Sequence, residues 1–508
     1  MDWKTYNSLY PTGSTPGKLY GLAKVHKNGC PLRPVNSMLN TPEFKLAQYM
    51  DKLIKPYIPS DYSVNSTYEF LEKLRSRKFS KDDVMVSFDV VSLFTNVPRN
   101  LVIKLITDEV HEKINIDYSN LESKNKSENV VNKTFQEIVS KTVFKNILSC
   151  CTKSHFLFNN KVYQQTDGVQ MGSPLGPTFA NWFLGHVENT IFAQSKPFFP
   201  KFYVRYVDDV FAVFEKKGDV DKFLKLLNSQ HAQLKFTVET TDSSLPFLDV
   251  EVALRDQEFD TWVYRKKTDT QTILAFDSVA PTSWKYGLFK CFMERAKKIC
   301  SNSAFLEREI QYLATLFKNN GYAKSWIDKM VNSDKDIKSR LKDERDFTVL
   351  KIPFLGSCSV KFGKDLAKVF DARWKTRLKI AYTNCKVGSY FVLKDKLPWI
   401  FASNVVYKFE CTVDSEVTYI GMTTRQACKR FQEHFDPTKN SAIQAHVANC
   451  KPCCDSKNYF DLFKIMSQCN GEKETEVTEA ILIRKYQPIL NKQLGISNGG
   501  SFVINVFK

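Results

Sequence analysis

Residues 202–215, FYVRYVDDVFAVFE, set two adjacent carboxylates, Asp208 and Asp209, between two apolar runs that read as strands. Acids paired in this way mark a hairpin tip. Two carboxylates held side by side repel each other, and burying them is costly unless cations neutralise them. The fold must therefore leave the tip in solvent, as most Asp-Asp turns are left, or build a cation site around it. A second strand-like run, DDVMVSFDVVSLF, carries Asp89 at its end. A third carboxylate there completes an oxygen cage for two Mg²⁺ ions, since hard divalent cations take such ligands. A pair of ions so held can activate a 3′-hydroxyl and stabilise a leaving pyrophosphate.

At 508 residues the chain is long enough for two to four domains of roughly 150 residues each. The formal net charge of +18 favours a polyanionic partner, because lysine and arginine displace counterions from phosphates. The same charge also suits a merely soluble basic protein. No run of about 18 apolar residues occurs, so no transmembrane helix and no membrane partner are expected. The start, MDWKTYNSLYPTG, lacks the apolar stretch of a signal peptide. Thirteen cysteines without that signal are expected to be reduced thiols, some of them metal ligands, in an intracellular protein.

The first 275 or so residues alternate strand-like and helical patterns, the mark of a mixed α/β unit. From Ser283 to Met330 the chain turns helical, basic and aromatic, with a break near Asn320 and Gly321. Asn332 to Asp346 is dense in mixed charge and reads as a linker. A strand-rich unit begins near Phe401, and there is no internal repeat or low-complexity tract.

Taken in order, the strand ending at Asp89, the QMGSPLGP turn before an apolar helix, and the tetrad Tyr206 to Asp209 resemble motifs A, B and C of reverse transcriptases. KLYGLAKVHKNGCPLRPVNS, FDVVSLFTNVP, GVQMGSPLGP and LPFLDVEV are very similar to Penelope-like retroelement reverse transcriptases. The resemblance implies an α+β multidomain chain: a right-hand polymerase of fingers, palm and helical thumb, then a small α/β GIY-YIG nuclease domain. It makes Asp89, Asp208 and Asp209 the catalytic, Mg²⁺-binding carboxylates. Phe94 stands where a bulky side chain excludes the ribose 2′-hydroxyl, and it also suits a core position. Arg33 meets the incoming triphosphate or forms a surface ion pair. Gln170 and Gly172 shape the nucleotide and template pocket, where glycine lets backbone come close. Lys24 and Lys27 share the fingers segment and equally suit a solvated basic face. In the thumb, Lys285, Lys290, Arg295, Lys297 and Lys298 alternate with Trp284, Tyr286 and Phe289. That mixture grips nucleic-acid backbone, although an amphipathic helix with a basic solvent face reads the same.

Near the C-terminus, two short strands present Tyr407 and Tyr419. Arg430 and His434 stand four apart on one helix face, a later helix carries Glu479, and Asn491 follows the PILN turn. Phosphodiester hydrolysis needs a positioned water, a cation against developing charge, and a metal ligand. This stretch resembles GIY-YIG endonucleases, which Penelope-like elements carry after the polymerase. The resemblance implies that Tyr407 and Tyr419 are the motif tyrosines and Arg430 the transition-state arginine. His434 joins the catalytic set, and Glu479 holds a single Mg²⁺. The chain departs from the pattern at Val405-Val406-Tyr407, which replaces Gly-Ile-Tyr. It departs again at Asp414, which stands in place of the second cysteine of a Cys-x-x-Cys pair beginning at Cys411. His446, Cys450, Cys453 and Cys454 can recruit Zn²⁺ or remain reduced loop groups.

The resemblance spans Lys18 to Gln493 and divides the chain into fingers and palm (1–275), thumb (276–331), linker (332–400), nuclease (401–496) and tail (497–508). Relatives carry more residues ahead of the KLYGL segment, so a truncated N-terminus is expected. The implied activity is target-primed reverse transcription, in which nicked DNA supplies the primer and RNA the template for dNTP addition, acting in the nucleus. A catalytically silent nucleic-acid-binding remnant and a repair nuclease with a non-catalytic palm are the rival readings.

Overall fold

The computed structural model describes residues 3–11, 15–25, 29–39, 41–114, 139–159, 161–241, 243–255, 257–333, 347–373, 377–384, 398–456, 458–469 and 471–491. Lys27, the charged stretch 334–346 and the tail 497–508 lie outside the described residues. Among the described residues the structure is mixed α/β, with five sheets. No helix among them is long and apolar enough to cross a membrane.

The central sheet holds β3 (Val84–Val90), β6 (Phe202–Tyr206), β7 (Asp209–Phe214) and β8 (Phe236–Thr240), antiparallel in the order β6-β7-β3-β8. The run VFAVF in β7 is apolar at every position because both faces are covered, the pattern of a fully buried strand. Val210, Ala212 and Phe214 enter one core, shared with Phe179, Trp182 and Phe183 of the helix Gly176–Phe192. Phe211 and Val213 enter a second, with Phe70 and Leu74 of the helix Thr67–Arg75. That second core also takes Phe247 and Val250 from a three-stranded sheet, β9 (Leu245–Phe247), β10 (Val250–Arg255) and β11 (Glu258–Val263). Each fully buried Phe or Val contributes about 1.5–3 kcal/mol of transfer free energy, so this sandwich holds the hairpin tip rigidly.

A four-stranded sheet lies beside it, in the order β2-β1-β4-β5, from β1 (Gly17–Ala23), β2 (Leu32–Ser37), β4 (His155–Phe158) and β5 (Lys161–Gln164). Three helices, Thr282–Ile299, Ser303–Asn319 and Lys324–Ser333, fill the segment expected to be helical. The second helix ends at Asn319, just before the Asn320-Gly321 break. These helices pack through Phe289, Met293, Leu313, Phe317 and Ile327.

The expected linker, 332–400, needs correction. Within it β12 (Phe347–Pro353) and β13 (Arg377–Thr383) pair in parallel, joined by the helix Ser357–Arg373. Beyond the charge-dense stretch 332–346 lie two seven-residue strand patterns separated by a helix, the spacing of a βαβ unit.

The last unit is a sheet in the order β15-β14-β16, built from β14 (Val405–Glu410), β15 (Thr418–Thr423) and β16 (Phe463–Gln468). The helices Ala427–Phe435, Ala442–Asn449 and Glu472–Tyr486 accompany it. Phe431 stacks on Phe463 with ring centroids 4.0 Å apart, fixing the first of these helices against the sheet.

Candidate functional site

Two places gather the residues that the sequence singled out. At the first, β3 and β7 pair so that Asp89 lies directly opposite Asp209. Asp208 occupies the turn between β6 and β7, and its carbonyl accepts the Val90 N–H at 3.3 Å. The three aspartates therefore share one end of the central sheet, although their carboxylate oxygens do not all come within 4.8 Å of one another. Partial burial, with the charges of Asp208 and Asp89 adding to it, pushes the Asp209 carboxyl up to about 6. An all-oxygen donor set whose members repel one another in this way fits a divalent cation.

A residue that sequence reasoning missed fixes this tip. Arg205, 1% exposed, gives Nε to Glu188 Oε1 at 2.6 Å and Nη2 to Glu188 Oε2 at 2.9 Å. Its Nη1 donates to Asn181 Oδ1 at 2.8 Å and to the Val207 carbonyl at 3.0 Å. Tyr203 Oη also donates to Glu188, at 2.9 Å. Val207 is β-branched yet sits at φ 56°, a backbone state that persists only when its surroundings impose it. Arg205 supplies that restraint one residue before Asp208. A charge at an inward position of an otherwise apolar strand was the available signal, because it demands a buried partner.

Behind the tip, Gly172 takes φ 128°, and a Cβ there would lie 2.4 Å from the Asn36 carbonyl oxygen. The Asn36 N–H donates to the Met171 carbonyl at 3.1 Å, so the QMGSPLGP turn lies directly on β2. Asn36 and Gln170 are both buried. The Asn36 side-chain amide and Gln170 Oε1 have no partner among the described residues, which leaves polar capacity at this seam. Phe94 is half-buried against the first core, and its carbonyl accepts the Val169 N–H at 2.8 Å. Arg33 is exposed on β2, opposite Leu22 of β1. Lys24 is half-buried, its N–H donating to the Pro31 carbonyl.

The cations expected to grip nucleic acid divide. Arg295 is tied to Asp249 at 2.7 Å, Lys298 lies 4.7 Å from the Tyr68 ring centroid, and Lys285 donates to the Phe276 carbonyl. Lys290, Lys297 and Lys298 are exposed. Of the aromatics, Phe289 is core, Tyr286 meets Trp326 at 5.3 Å, and Trp284 is exposed. Alternation along the sequence could not separate the inward face from the outward one.

The second place is the C-terminal sheet. Tyr407 is fully buried, and its hydroxyl lies 2.7 Å from His434 Nε2, whose Nδ1 is 3.1 Å from Ser441 Oγ. Burial, helped by the Arg430 charge, pulls the His434 imidazole down to about 3, so it stays neutral. Burial raises Tyr407 and Tyr419 above the usual phenol range, against the pull of Arg430. A Cβ on Gly421 would meet the Tyr407 hydroxyl at 2.8 Å, which explains a glycine after Tyr419-Ile420. Arg430 donates Nη1 to Glu433 at 3.1 Å, while its buried Nε has no partner among the described residues. Burial raises the Glu479 carboxyl, partly offset by the Met422 N–H and by Arg430. Asn491 clamps β15, donating to the Ile420 carbonyl at 2.7 Å and accepting its N–H at 2.9 Å. A tyrosine pair, a cation with a spare N–H and a nearby carboxylate can together hold and polarise a phosphodiester.

Beside it lies a cysteine–histidine cluster. Cys411, His446, Cys450 and Cys453 present ligand atoms all within 4.8 Å of one another, the single group of this kind among the described residues. Burial works to raise the Cys411 thiol, but backbone N–H groups of Val413 and Asp414 and contacts with Cys453 and His446 bring it down to about 6. Three sulfurs and one imidazole suit Zn²⁺. Cys411 thus takes the place foreseen for Cys454, which is exposed.

In sequence, a family described as an animal helix-turn-helix domain matches residues 272–332, the three-helix segment. No curated protein matches the chain. Among solved structures, the chain is similar to telomerase from Candida albicans in complex with a fragment of telomeric RNA, with TM-score 0.41 and 13% identity, covering 66% of this chain and 60% of that one. It is similar to apo telomerase from Candida tropicalis, with TM-score 0.38 and 14% identity over 64% of this chain and 60% of that one. It is also similar to the BmCPV RNA-dependent RNA polymerase in its elongation state, with TM-score 0.35 and 12% identity over 57% of this chain and 25% of that one. Likenesses this distant carry no argument about mechanism.

Proposed function

We infer that the chain is a Penelope-like reverse transcriptase that copies RNA into DNA at its central sheet and nicks DNA at its C-terminal sheet. The observation that carries this reading is the pairing of Asp89 with Asp209 across β3 and β7, with Asp208 in the adjoining turn. Asp89, Asp208 and Asp209 would hold Mg²⁺, which supplies a lowered pKa at the primer 3′-hydroxyl and charge neutralisation at the leaving pyrophosphate. The other groups position. Arg205 fixes the tip, Phe94 and Gly172 shape the nucleotide floor, and the unpaired Asn36 amide and Gln170 Oε1 offer hydrogen bonds to sugar or base. The helices from Thr282 onward would form the thumb, with Lys290, Lys297 and Trp284 presented to duplex.

For nicking, the spare Nε of Arg430 and the Tyr407 and Tyr419 hydroxyls would meet the scissile phosphate. Neutral His434 orients Tyr407, and Glu479 would hold one Mg²⁺. Glu479→Gln should slow nicking of supercoiled DNA by about 10²–10³-fold while leaving primer extension intact. Equal nicking by variant and parent would remove Glu479 from the reaction. The target-primed route, with the nick supplying the primer, joins the two activities in one chain, and its place of action would be the nucleus.

The sulfur-rich cluster would hold a structural Zn²⁺ tying the end of β14 to the helices that follow. Purified chain should carry near-stoichiometric zinc, and Cys450→Ser should lose it and lower the melting temperature of the C-terminal unit. Zinc-free protein with the parent's melting profile would contradict this assignment.

A further inference from the structure

The βαβ unit at 347–383 belongs to neither site. Its register pairs Phe347 with Arg377, Val349 with Lys379 and Pro353 with Thr383, so alternate residues share a face. The other face, with Ile380 and Tyr382, lies on the helix Ser357–Arg373, where a Cβ on Gly363 would sit 2.9 Å from the Tyr382 hydroxyl. The face away from the helix therefore carries Phe347, Val349, Lys351, Arg377 and Lys379, and no acid. Phe347 is 51% exposed and Val349 50%.

Parallel strands normally have both faces covered. Here the face has no cover among the described residues, and it combines apolar area with the cations Lys351 and Lys379. An apolar protein surface is a poor match for the cations. A polyanion without planar groups is a poor match for the phenylalanine. Single-stranded nucleic acid offers phosphates and unstacked bases together. Lys379 Nζ lies 3.2 Å from the Phe347 ring centroid, which places charge and ring at one spot.

The face ends where ligands commonly enter parallel sheets, beyond the carboxyl ends of the strands. There Pro353, Phe354, Thr383, Asn384 and Val279 line a cleft of about 330 Å³. Asn384 Nδ2 donates to the Val279 carbonyl at 3.0 Å, while its Oδ1 is buried without a partner among the described residues. An N–H on a base edge, the N3–H of uracil or thymine or the exocyclic amine of another base, would supply that donor. Across residues 347–384, eight lysines and arginines face two aspartates, so the local field favours the same ligand.

We propose that this open face binds single-stranded nucleic acid, with phosphates on Lys351 and Lys379, a base against Phe347 and a base edge in the Asn384 cleft. The interaction uses no residue of either catalytic site, so it stands or falls apart from the polymerase and nuclease reading.

The test is fluorescence anisotropy of the full chain with short labelled oligo-rU and oligo-dT across a salt series. Lys351→Glu with Lys379→Glu should weaken binding at least about tenfold and flatten the salt dependence by roughly 1.4 in log–log slope, two phosphates at about 0.7 each. Phe347→Ala should weaken binding about fivefold or more with the slope unchanged, as loss of one stacked base would. The rU and dT arms show whether RNA or DNA is preferred, and either preference supports the face. Lys364→Glu with Lys368→Glu makes the same charge change on the helix side and should have a much smaller effect. An equal loss from that control would overturn the proposal, as would unchanged binding in the face variants with parental melting curves.

Discussion

Asp208→Asn is expected to reduce Mg²⁺-dependent nucleotide addition by about 10³-fold or more while leaving the fold intact. A metal-held transition state loses several kcal/mol when one of its few charged ligands becomes neutral, and each 1.36 kcal/mol is tenfold in rate. The same substitution removes a repulsion that burial amplifies at Asp209. With its carboxyl raised from the ordinary 3.8 to about 6, Asp209 keeps its proton longer in the native state than in the unfolded chain. Without divalent ions, native stability should therefore fall as pH rises from about 4 to about 6, and Asp208→Asn should shrink that fall. Loss of activity with equal or better metal-free stability near pH 7 distinguishes a ligand from a structural residue. A melting temperature well below the parent's would assign Asp208 to the fold instead.

Glu188→Gln is expected to destabilise the central unit by about 3–5 kcal/mol, because it strands the Arg205 guanidinium in the core. Burial alone would lower the Arg205 pKa; the paired carboxylate more than offsets this and holds it above its ordinary value. Replacing both partners, Arg205→Met with Glu188→Leu, should recover only part of that stability: no charge is left unmatched, but the Tyr203 hydroxyl, Asn181 Oδ1 and the Val207 carbonyl lose their partners. Primer extension should stay impaired in the double variant, because the Val207 carbonyl has lost its donor and the turn carrying Asp208 is no longer held. Denaturant titration reads the first effect and single-turnover extension the second. Full activity in the double variant would show that the ion pair serves stability alone.

The elements legible in sequence were those with a strong local pattern. The YVDD hairpin, the strand ending at Asp89 and the helices after Ser283 lie where apolar periodicity puts them, and Arg430 and His434 share a helix face as their spacing requires. Two kinds of feature were not legible. One is pairing between distant residues: Arg205 with Glu188, Arg295 with Asp249, and Cys411 with His446, Cys450 and Cys453. Each depends on which strand or helix lies alongside which, information that no short window contains. The other is ordered structure next to a charge-rich stretch, as at 347–383, where composition suggested a linker although the strand alternation of FTVLKIP and RLKIAYT was present. Basic residues beside aromatics in the helix Thr282–Ile299 divide between core, intramolecular pairing and exposed positions, a division that alternation along the sequence does not show.

Dispute over the chain's activity comes down to whether the Asp89, Asp208 and Asp209 end of the central sheet adds nucleotides. The decisive measurement is incorporation of labelled dNTPs by the purified full chain on an RNA template annealed to a DNA primer, with Mg²⁺ titrated from zero. The account predicts template-dependent extension that rises with Mg²⁺, is lost in Asp208→Asn and persists in Glu479→Gln. No incorporation by folded parent protein at any Mg²⁺ concentration, or equal incorporation by parent and Asp208→Asn, would contradict it.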